Sequence, residues 1–240
     1  MTDLKGRTVL ITGASTGIGA ATAVLMAQAG ADVGINYLHS KAAAKKVLRK
    51  VEALGRRGLL LEYDACDPDQ VTAMVSDFVK AFRRIDVLFA NAGGLVKRCP
   101  IARMPDRLWN QVVALNLDSV FYTVRAALPH MARARGGNII INSSVAARSG
   151  GGGGAVAYAT AKGALVTFTK GLAKEVAGDG IRVNAIAPGV TLTPFHEKST
   201  LLTPFWRVST RSSSISVACG LSSRIIVPSL SGNATSLIRA

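Results

Sequence analysis

Acidic residues are scarce in this chain of 240 residues: 14 Asp and Glu stand against 29 Lys and Arg, for a formal charge of +15. From Lys198 onward there are none. Aromatic residues make up only 5% of the chain, and none interleaves the basic run Lys41, Lys45, Lys46, Arg49, Lys50, Arg56 and Arg57. That run reads as the solvated face of one amphipathic helix and its exit. Without rings to stack on bases, it gives no reason to expect nucleic acid as a partner, although phosphate-bearing ligands suit it. Cysteine is sparse too. Cys66, Cys99 and Cys219 lie far apart with no paired ligand spacing, which suggests neither a disulfide framework nor a zinc site and makes reduced thiols the simpler reading. His39, His130 and His196 have no metal-ligand spacing either, so no metal is expected. The amino-terminal stretch Met1 to Arg7 lacks the apolar segment of a signal peptide, and no apolar run approaches a membrane span. A soluble, cytoplasmic protein with no membrane partner is therefore expected.

With 49% hydrophobic and 18% charged residues, the chain can bury a large core and fits one α/β domain. Short apolar runs alternate with longer helical patterns, the signature of a doubly wound parallel sheet covered on both faces. Strands are expected at Thr8–Thr12, Asp32–Tyr37, Gly58–Tyr63, Ile85–Ala90, Asn138–Asn142 and Ile181–Ala187. Helices are expected at Gly17–Ala29, Lys41–Leu54, Pro68–Phe82, Asp106–Ala134 and Ala157–Val176. The fourth reads as one long helix that Pro129 kinks or brings to its last turn. In such sheets ligands bind beyond the carboxyl ends of the strands.

Candidate motifs fall at those ends. Thr12-Gly13-Ala14-Ser15-Thr16-Gly17-Ile18-Gly19 joins the first strand to its helix. Glycines there permit a tight turn, let backbone N–H groups approach a pyrophosphate, and open a helix whose amino end attracts anions. Asp64, just past the third strand, can accept a hydrogen bond from an adenine amino group or cap the next helix. Asn91-Ala92-Gly93-Gly94 follows the fourth strand, where small residues let backbone pass close to a ribose or simply turn.

The stretch from Ser144 to Lys162 holds a hydroxyl, a phenol and an ammonium. Tyr158 and Lys162 are four residues apart and share one helix face. At about 4 Å and an effective dielectric of about 20 the pair is worth roughly 4 kcal/mol, enough to bring a phenol from near 10 to about 7, where a general acid/base works best. Ser144 is preferred over Ser143 as the polar group facing Tyr158, because alternate residues of a strand point to opposite faces. Asn116 is either a working residue or a buried, satisfied amide. Trp109 and Phe121 look like core or subunit-contact residues.

Taken together, Thr12-Gly-x-x-x-Gly-x-Gly, Asn91-Ala-Gly, Asn116, Ser144, Tyr158-x-x-x-Lys162 and Pro188-Gly189, in that order, resemble the short-chain dehydrogenase/reductase family over roughly residues 4–196. The resemblance implies a Rossmann-type fold, a nicotinamide cofactor and hydride transfer to or from a carbonyl carbon. It implies that Tyr158 exchanges the proton, that Lys162 lowers its pKa and holds the nicotinamide ribose, and that Ser144 orients the substrate oxygen. Asn116 would hold a water linking Lys162 to solvent. Cofactor contacts would come from Gly13, Ser15, Thr16, Gly17, Ile18, Gly19, Tyr37, His39, Ser40, Asp64, Ala65, Asn91, Ala92, Gly93, Tyr158, Lys162, Pro188, Gly189, Val190 and Thr193. The substrate would be a small carbonyl or alcohol, with β-ketoacyl thioesters leading and sugars or polyols as the alternative.

An acid at the end of the second strand would bind a ribose 2′-hydroxyl and repel a 2′-phosphate, but Tyr37 stands there with His39, Ser40 and Lys41 next. NADP is therefore favoured over NAD. The chain departs from the family pattern at the run Gly150 to Gly154 and in the Ser/Arg-rich segment from about residue 197 to 240. Residues 1–196 are expected to form the catalytic domain and 197–240 to be irregular, as a divergent tail or a shifted reading frame; Ile225 to Val227 is its one short strand candidate. A homodimer through the long helix and the Tyr158 helix is expected, with the family's tetramer weakened. An open site that binds cofactor but turns over slowly is a further alternative.

Overall fold

A computed structural model describes residues 3–191, 193 and 215–217. Seven strands form one sheet in the order β3-β2-β1-β4-β5-β6-β7, where β1 is Thr8–Ile11, β2 Asp32–Tyr37, β3 Gly58–Glu62, β4 Val87–Ala90, β5 Gly137–Asn142, β6 Ile181–Ala187 and β7 Ile215–Val217. The pairings from β3 through β6 are all parallel, and β7 joins β6 antiparallel, with Ala187 opposite Ile215. The helices are α1 (Gly17–Gln28), α2 (Lys41–Ala53), α3 (Pro68–Phe82), α4 (Asp106–Val113), α5 (Ser119–Arg133), α6 (Ala146–Ser149) and α7 (Val156–Glu175).

The strands are apolar almost throughout because both faces of the sheet are covered, and strand alternation divides them between two cores. Leu10, Leu88, Ile139 and Ile141 pack with Phe78 of α3, Val124 of α5 and Leu165 of α7. Their neighbours Val9, Ile11, Val87, Phe89 and Ile140 pack on the opposite face with Ala23 of α1 and Val47 of α2. At about 25 cal/mol per Å² of apolar surface, each fully buried Leu, Ile or Phe contributes roughly 1.5–3 kcal/mol, and the two cores drive folding. Strand order reverses between β1 and β4, so a crevice opens at their carboxyl ends.

The segment expected as one long helix from Asp106 is α4, a π-helical turn at Ala114–Asp118, and α5. Asn116 causes the change. Its side-chain Nδ2 donates to the Val112 carbonyl at 2.9 Å, the acceptor an α-helical N–H would have used. Pro129 lies inside α5 on its exposed side, as does Arg125 four residues earlier, whose carbonyl lacks the helical donor that proline cannot supply. Three short helical elements carry no readable period: the 3-10 turns Ile101–Arg103 and Ala177–Asp179, and α6. Within the stretch expected to be irregular, Ile215–Val217 pairs with β6, while Ile225 to Val227 lies outside the described residues.

Candidate active site

The glycine turn is built by three side chains that reach across the sheet. Thr12 Oγ1 accepts from the backbone N–H of Asn91 at 2.9 Å and of Ala92 at 3.0 Å. Asn91 returns the link, donating through Nδ2 to the carbonyls of Thr12 and Gly13 at 2.9 and 3.2 Å. Asn36 binds the other side: Gly13 N donates to its Oδ1 at 3.2 Å and Ala14 N to its carbonyl at 2.7 Å. Its Nδ2 donates onward to the carbonyls of Leu61 and Tyr63. The ends of β1, β2, β3 and β4 are thus one hydrogen-bonded rim. Asn36 was missed as a builder of this rim, since a polar residue in an apolar strand is its only sequence signal.

Gly13 has φ 63°, and a side chain on Gly19 would collide with the Gly13 carbonyl. Thr16 offers α1 no side-chain cap, and no acid occupies its first turn. The first-turn N–H groups therefore stay available to an anion. Thr193 packs over Gly17, with its Cβ 3.4 Å from where a Gly17 side chain would begin, and Val190 is exposed. Ser15, Thr16, Gly17 and Ile18 are partly or fully accessible around this cradle, which suits a pyrophosphate.

Further along β2, Tyr37 is buried and its hydroxyl donates to Glu62 Oε2 at 3.1 Å, while His39 and Ser40 are exposed. Asp64 Oδ1 accepts from the backbone N–H of Cys66, closing a turn that buries Ala65. The cap of α3 is Asp67, which accepts from the N–H groups of Asp69 and Gln70 with Pro68 in the first helical turn. Asp64 is accordingly not the helix cap.

On the other side of the crevice, β5 ends at Asn142, and Ser143 and Ser144 follow it. Ser143 Oγ donates to the Lys162 carbonyl at 2.8 Å and faces away from the cleft, whereas Ser144 forms a side-chain hydrogen bond with Tyr158. Ser144 Oγ also accepts from the Ala146 N–H at 3.1 Å, so the start of α6 fixes it. Lys162 is buried, its Nζ donating to the Asn142 carbonyl at 2.7 Å and lying 5.9 Å from the centre of the Tyr158 ring. Asn142 was also missed: its Nδ2 donates to Asn91 Oδ1 at 2.9 Å, joining the glycine rim to the strand that holds the lysine.

Gly93 lies against that lysine. A side chain on Gly93 would stand 3.0 Å from Lys162 Nζ and 2.9 Å from Asn116 Oδ1. Asn116 is fully buried, and its amide clamps Gly94, accepting from Gly94 N at 3.0 Å and donating to Gly94 O at 2.8 Å. Both its N–H donors are committed, so a water relay at this residue would have to use its backbone or donate to the second lone pair of Oδ1. Val145 N donates to the Pro188 carbonyl at 3.0 Å, which seats Pro188 and Gly189 beside Ser144.

The electrostatics differ from those expected of a Tyr–Lys pair 4 Å apart. Burial pushes the Tyr158 phenol above its usual value, and the Ser144 hydrogen bond offsets only part of this. Burial also depresses the Lys162 ammonium to about 8. A phenol near 7 is thus not a property of these two residues alone, because the ammonium points to a carbonyl instead of the phenol and desolvation opposes both charges.

Residues 7–201 match the model of the short chain dehydrogenase family. The chain belongs to that family. The 3-oxoacyl-[acyl-carrier-protein] reductase FabG of Staphylococcus aureus is 38% identical to this short-chain dehydrogenase over 183 residues, 76% of this chain and 74% of the relative. The L-rhamnose 1-dehydrogenase (NAD(P)(+)) of a Sphingomonas species is 37% identical over 197 residues, 81% and 76% of the two chains. Among solved structures, the NADH-dependent reductase A1-R′ complexed with NAD is similar at a TM-score of 0.75 with 37% identity, covering 79% of this chain and 80% of that one. This short-chain dehydrogenase is an NAD(P)-dependent oxidoreductase with a Rossmann-type sheet. Among the described residues no helix is long and apolar enough to cross a membrane.

Proposed function

We propose that the chain interconverts a carbonyl and a secondary alcohol, with Tyr158 as general acid/base. The observation that carries this reading is the meeting of Tyr158 with Ser144 at one end of the crevice that the glycine turn opens at the other. When bound, a nicotinamide dinucleotide supplies the hydride acceptor or donor. Gly13, Ser15, Thr16, Gly17, Ile18 and Gly19 would hold its pyrophosphate, Asp64 and Ala65 its adenine, Asn91 to Gly93 its riboses, and Pro188, Gly189, Val190 and Thr193 its nicotinamide end.

In the reducing direction Tyr158 Oη donates its proton to the carbonyl oxygen as that oxygen gains negative charge. Ser144 Oγ donates a hydrogen bond to the same oxygen and fixes the face presented for reaction. A raised phenol pKa suits the acid role, since Tyr158 keeps its proton until the substrate needs it. Lys162 supplies positive charge from below, and Asn116 holds the Gly93–Gly94 backbone against it.

β-Ketoacyl thioesters are the favoured substrates, in line with the FabG likeness; sugars are the alternative, in line with the rhamnose dehydrogenase. NADP and NAD both suit the cofactor site: no acid stands at position 37 to repel a 2′-phosphate, and the relatives it resembles are named for NAD(P) and for NADH. The working assembly is a homodimer in the cytoplasm, formed through α5 and α7, where Phe121 is exposed with the Arg125 guanidinium 4.9 Å over its ring. The test is cofactor oxidation across ketoacyl thioesters, keto acids and sugars, followed by nicotinamide absorbance. Turnover of a ketoacyl thioester well above a ketose is expected, and the reverse order replaces the thioester with the sugar.

A further inference from the structure

The end of β2 has no acid of its own, but the sheet brings one to it. Parallel register sets Tyr37 opposite Glu62, the last residue of β3. Glu62 Oε2 accepts from the Tyr37 hydroxyl at 3.1 Å and pairs with Lys41 Nζ at 2.7 Å. Lys41 opens α2 and is the first cation after the strand end that a ribose phosphate would approach. This cluster adjoins the glycine turn directly, since Asn36, one residue before Tyr37, bonds both Gly13 and Ala14. Its parts also explain one another: the Lys41 ammonium and then the Tyr37 hydroxyl hold the Glu62 carboxyl below its ordinary range, so it is ionised at neutral pH.

We propose that Glu62 is a cofactor-selectivity residue: its carboxylate occupies Lys41 in place of a 2′-phosphate, so the chain discriminates little between NADPH and NADH. A 2′-phosphate must displace Glu62 from Lys41 and approach a like charge, whereas a 2′-hydroxyl can donate to the same carboxylate. The acid that would favour NAD is thus supplied from β3, held in place by the tyrosine that ends β2. The inference rests on the dinucleotide reading of the glycine turn.

The test is the dissociation constant of NADPH and of NADH, by enhancement of nicotinamide fluorescence, for the wild type, Glu62→Gln, Lys41→Gln and the double variant. Glu62 and Lys41 are both about half exposed, so these variants keep the fold. Glu62→Gln keeps an acceptor for Tyr37 and removes the charge. It is expected to tighten NADPH about three- to tenfold at low ionic strength, the size expected of one partly screened charge pair, and to leave NADH within about twofold. The gain should shrink in the double variant, where no ammonium is released. An unchanged NADPH-to-NADH ratio in Glu62→Gln, or a gain of the same size with Lys41 removed, overturns the inference while leaving the dinucleotide reading intact. Absence of binding of either cofactor to the wild type overturns both.

Discussion

Lys162 keeps its ammonium in a buried place, with the Asn142 carbonyl as its hydrogen-bond acceptor, and its pKa falls to about 8 as a result. From about 8 up to the ordinary value of 10.5, the unfolded chain holds a proton that the folded chain has released, so stability rises with pH through that window. Tyr158 acts in the opposite sense at higher pH: its raised pKa keeps a proton that the unfolded chain loses, so stability falls above the ordinary value of 10. Urea midpoints of the cofactor-free protein should therefore increase between pH about 8 and about 10, and Lys162→Met should flatten the increase. A wild-type midpoint that declines through this window contradicts the burial of a lysine here. The two serines give a second test. Ser144→Ala should lower kcat about 10- to 100-fold with stability little changed, and Ser143→Ala should cost about 1 kcal/mol of stability through its lost bond to the Lys162 carbonyl while sparing kcat. Equal kinetic losses would remove the distinction. The two serines point apart as alternation carried past the end of β5 suggests, and it is the hydrogen bonds of each that place Ser144 with Tyr158 and Ser143 on the Lys162 carbonyl. The pKa pattern was not legible in the sequence, because helical spacing fixes which face two residues share but says nothing about where a lysine ammonium finds its acceptor.

The glycine turn and the π-helical turn owe their shapes to opposite causes. At the first, absence of side chains matters: Gly19 sits where a methyl would strike the Gly13 carbonyl, and Gly13 itself lies at positive φ. Gly19→Ala should open the turn, weaken NADH and NADPH alike by at least about tenfold, and lower the melting temperature, as read by fluorescence titration and thermal unfolding. Unimpaired cofactor binding would mean that the turn does not hold the pyrophosphate. At the second, one side chain matters, since Asn116 takes the Val112 carbonyl and clamps Gly94 at the same time. The glycine spacing announced the first turn in the sequence, and the strand-turn-helix context located it. Nothing local announced the second: an asparagine in an apolar helix has the same pattern whether it bonds its own helix, a distant loop or both. Asn36 and Asn142 were hidden for a related reason, each being one polar residue in a strand whose partners come from other strands.

Alternating apolar runs and helical periods made the six parallel strands legible, and their order follows the rule for doubly wound sheets. β7 was not legible, because Ile215-Ser216-Val217 has no period to distinguish it and pairs with β6 from far along the chain. The proposed dimer would use the outer face of α5, where Phe121, Arg125 and Pro129 lie one turn apart and exposed. If that proposal holds, the wild type is a dimer by light scattering or sedimentation and Phe121→Asp is a monomer that retains cofactor affinity. A wild-type monomer, or a dimer indifferent to this change, would place the contact elsewhere. The most direct measurement of the central claim compares the wild type with Tyr158→Phe in oxidation of NADPH and NADH by a panel containing a β-ketoacyl thioester and a sugar. The wild type should turn over at least one substrate, and Tyr158→Phe should lose about 10²- to 10⁴-fold in rate while binding cofactor within about twofold of the wild type. A variant that keeps more than about a tenth of the wild-type rate contradicts Tyr158 as the acid/base.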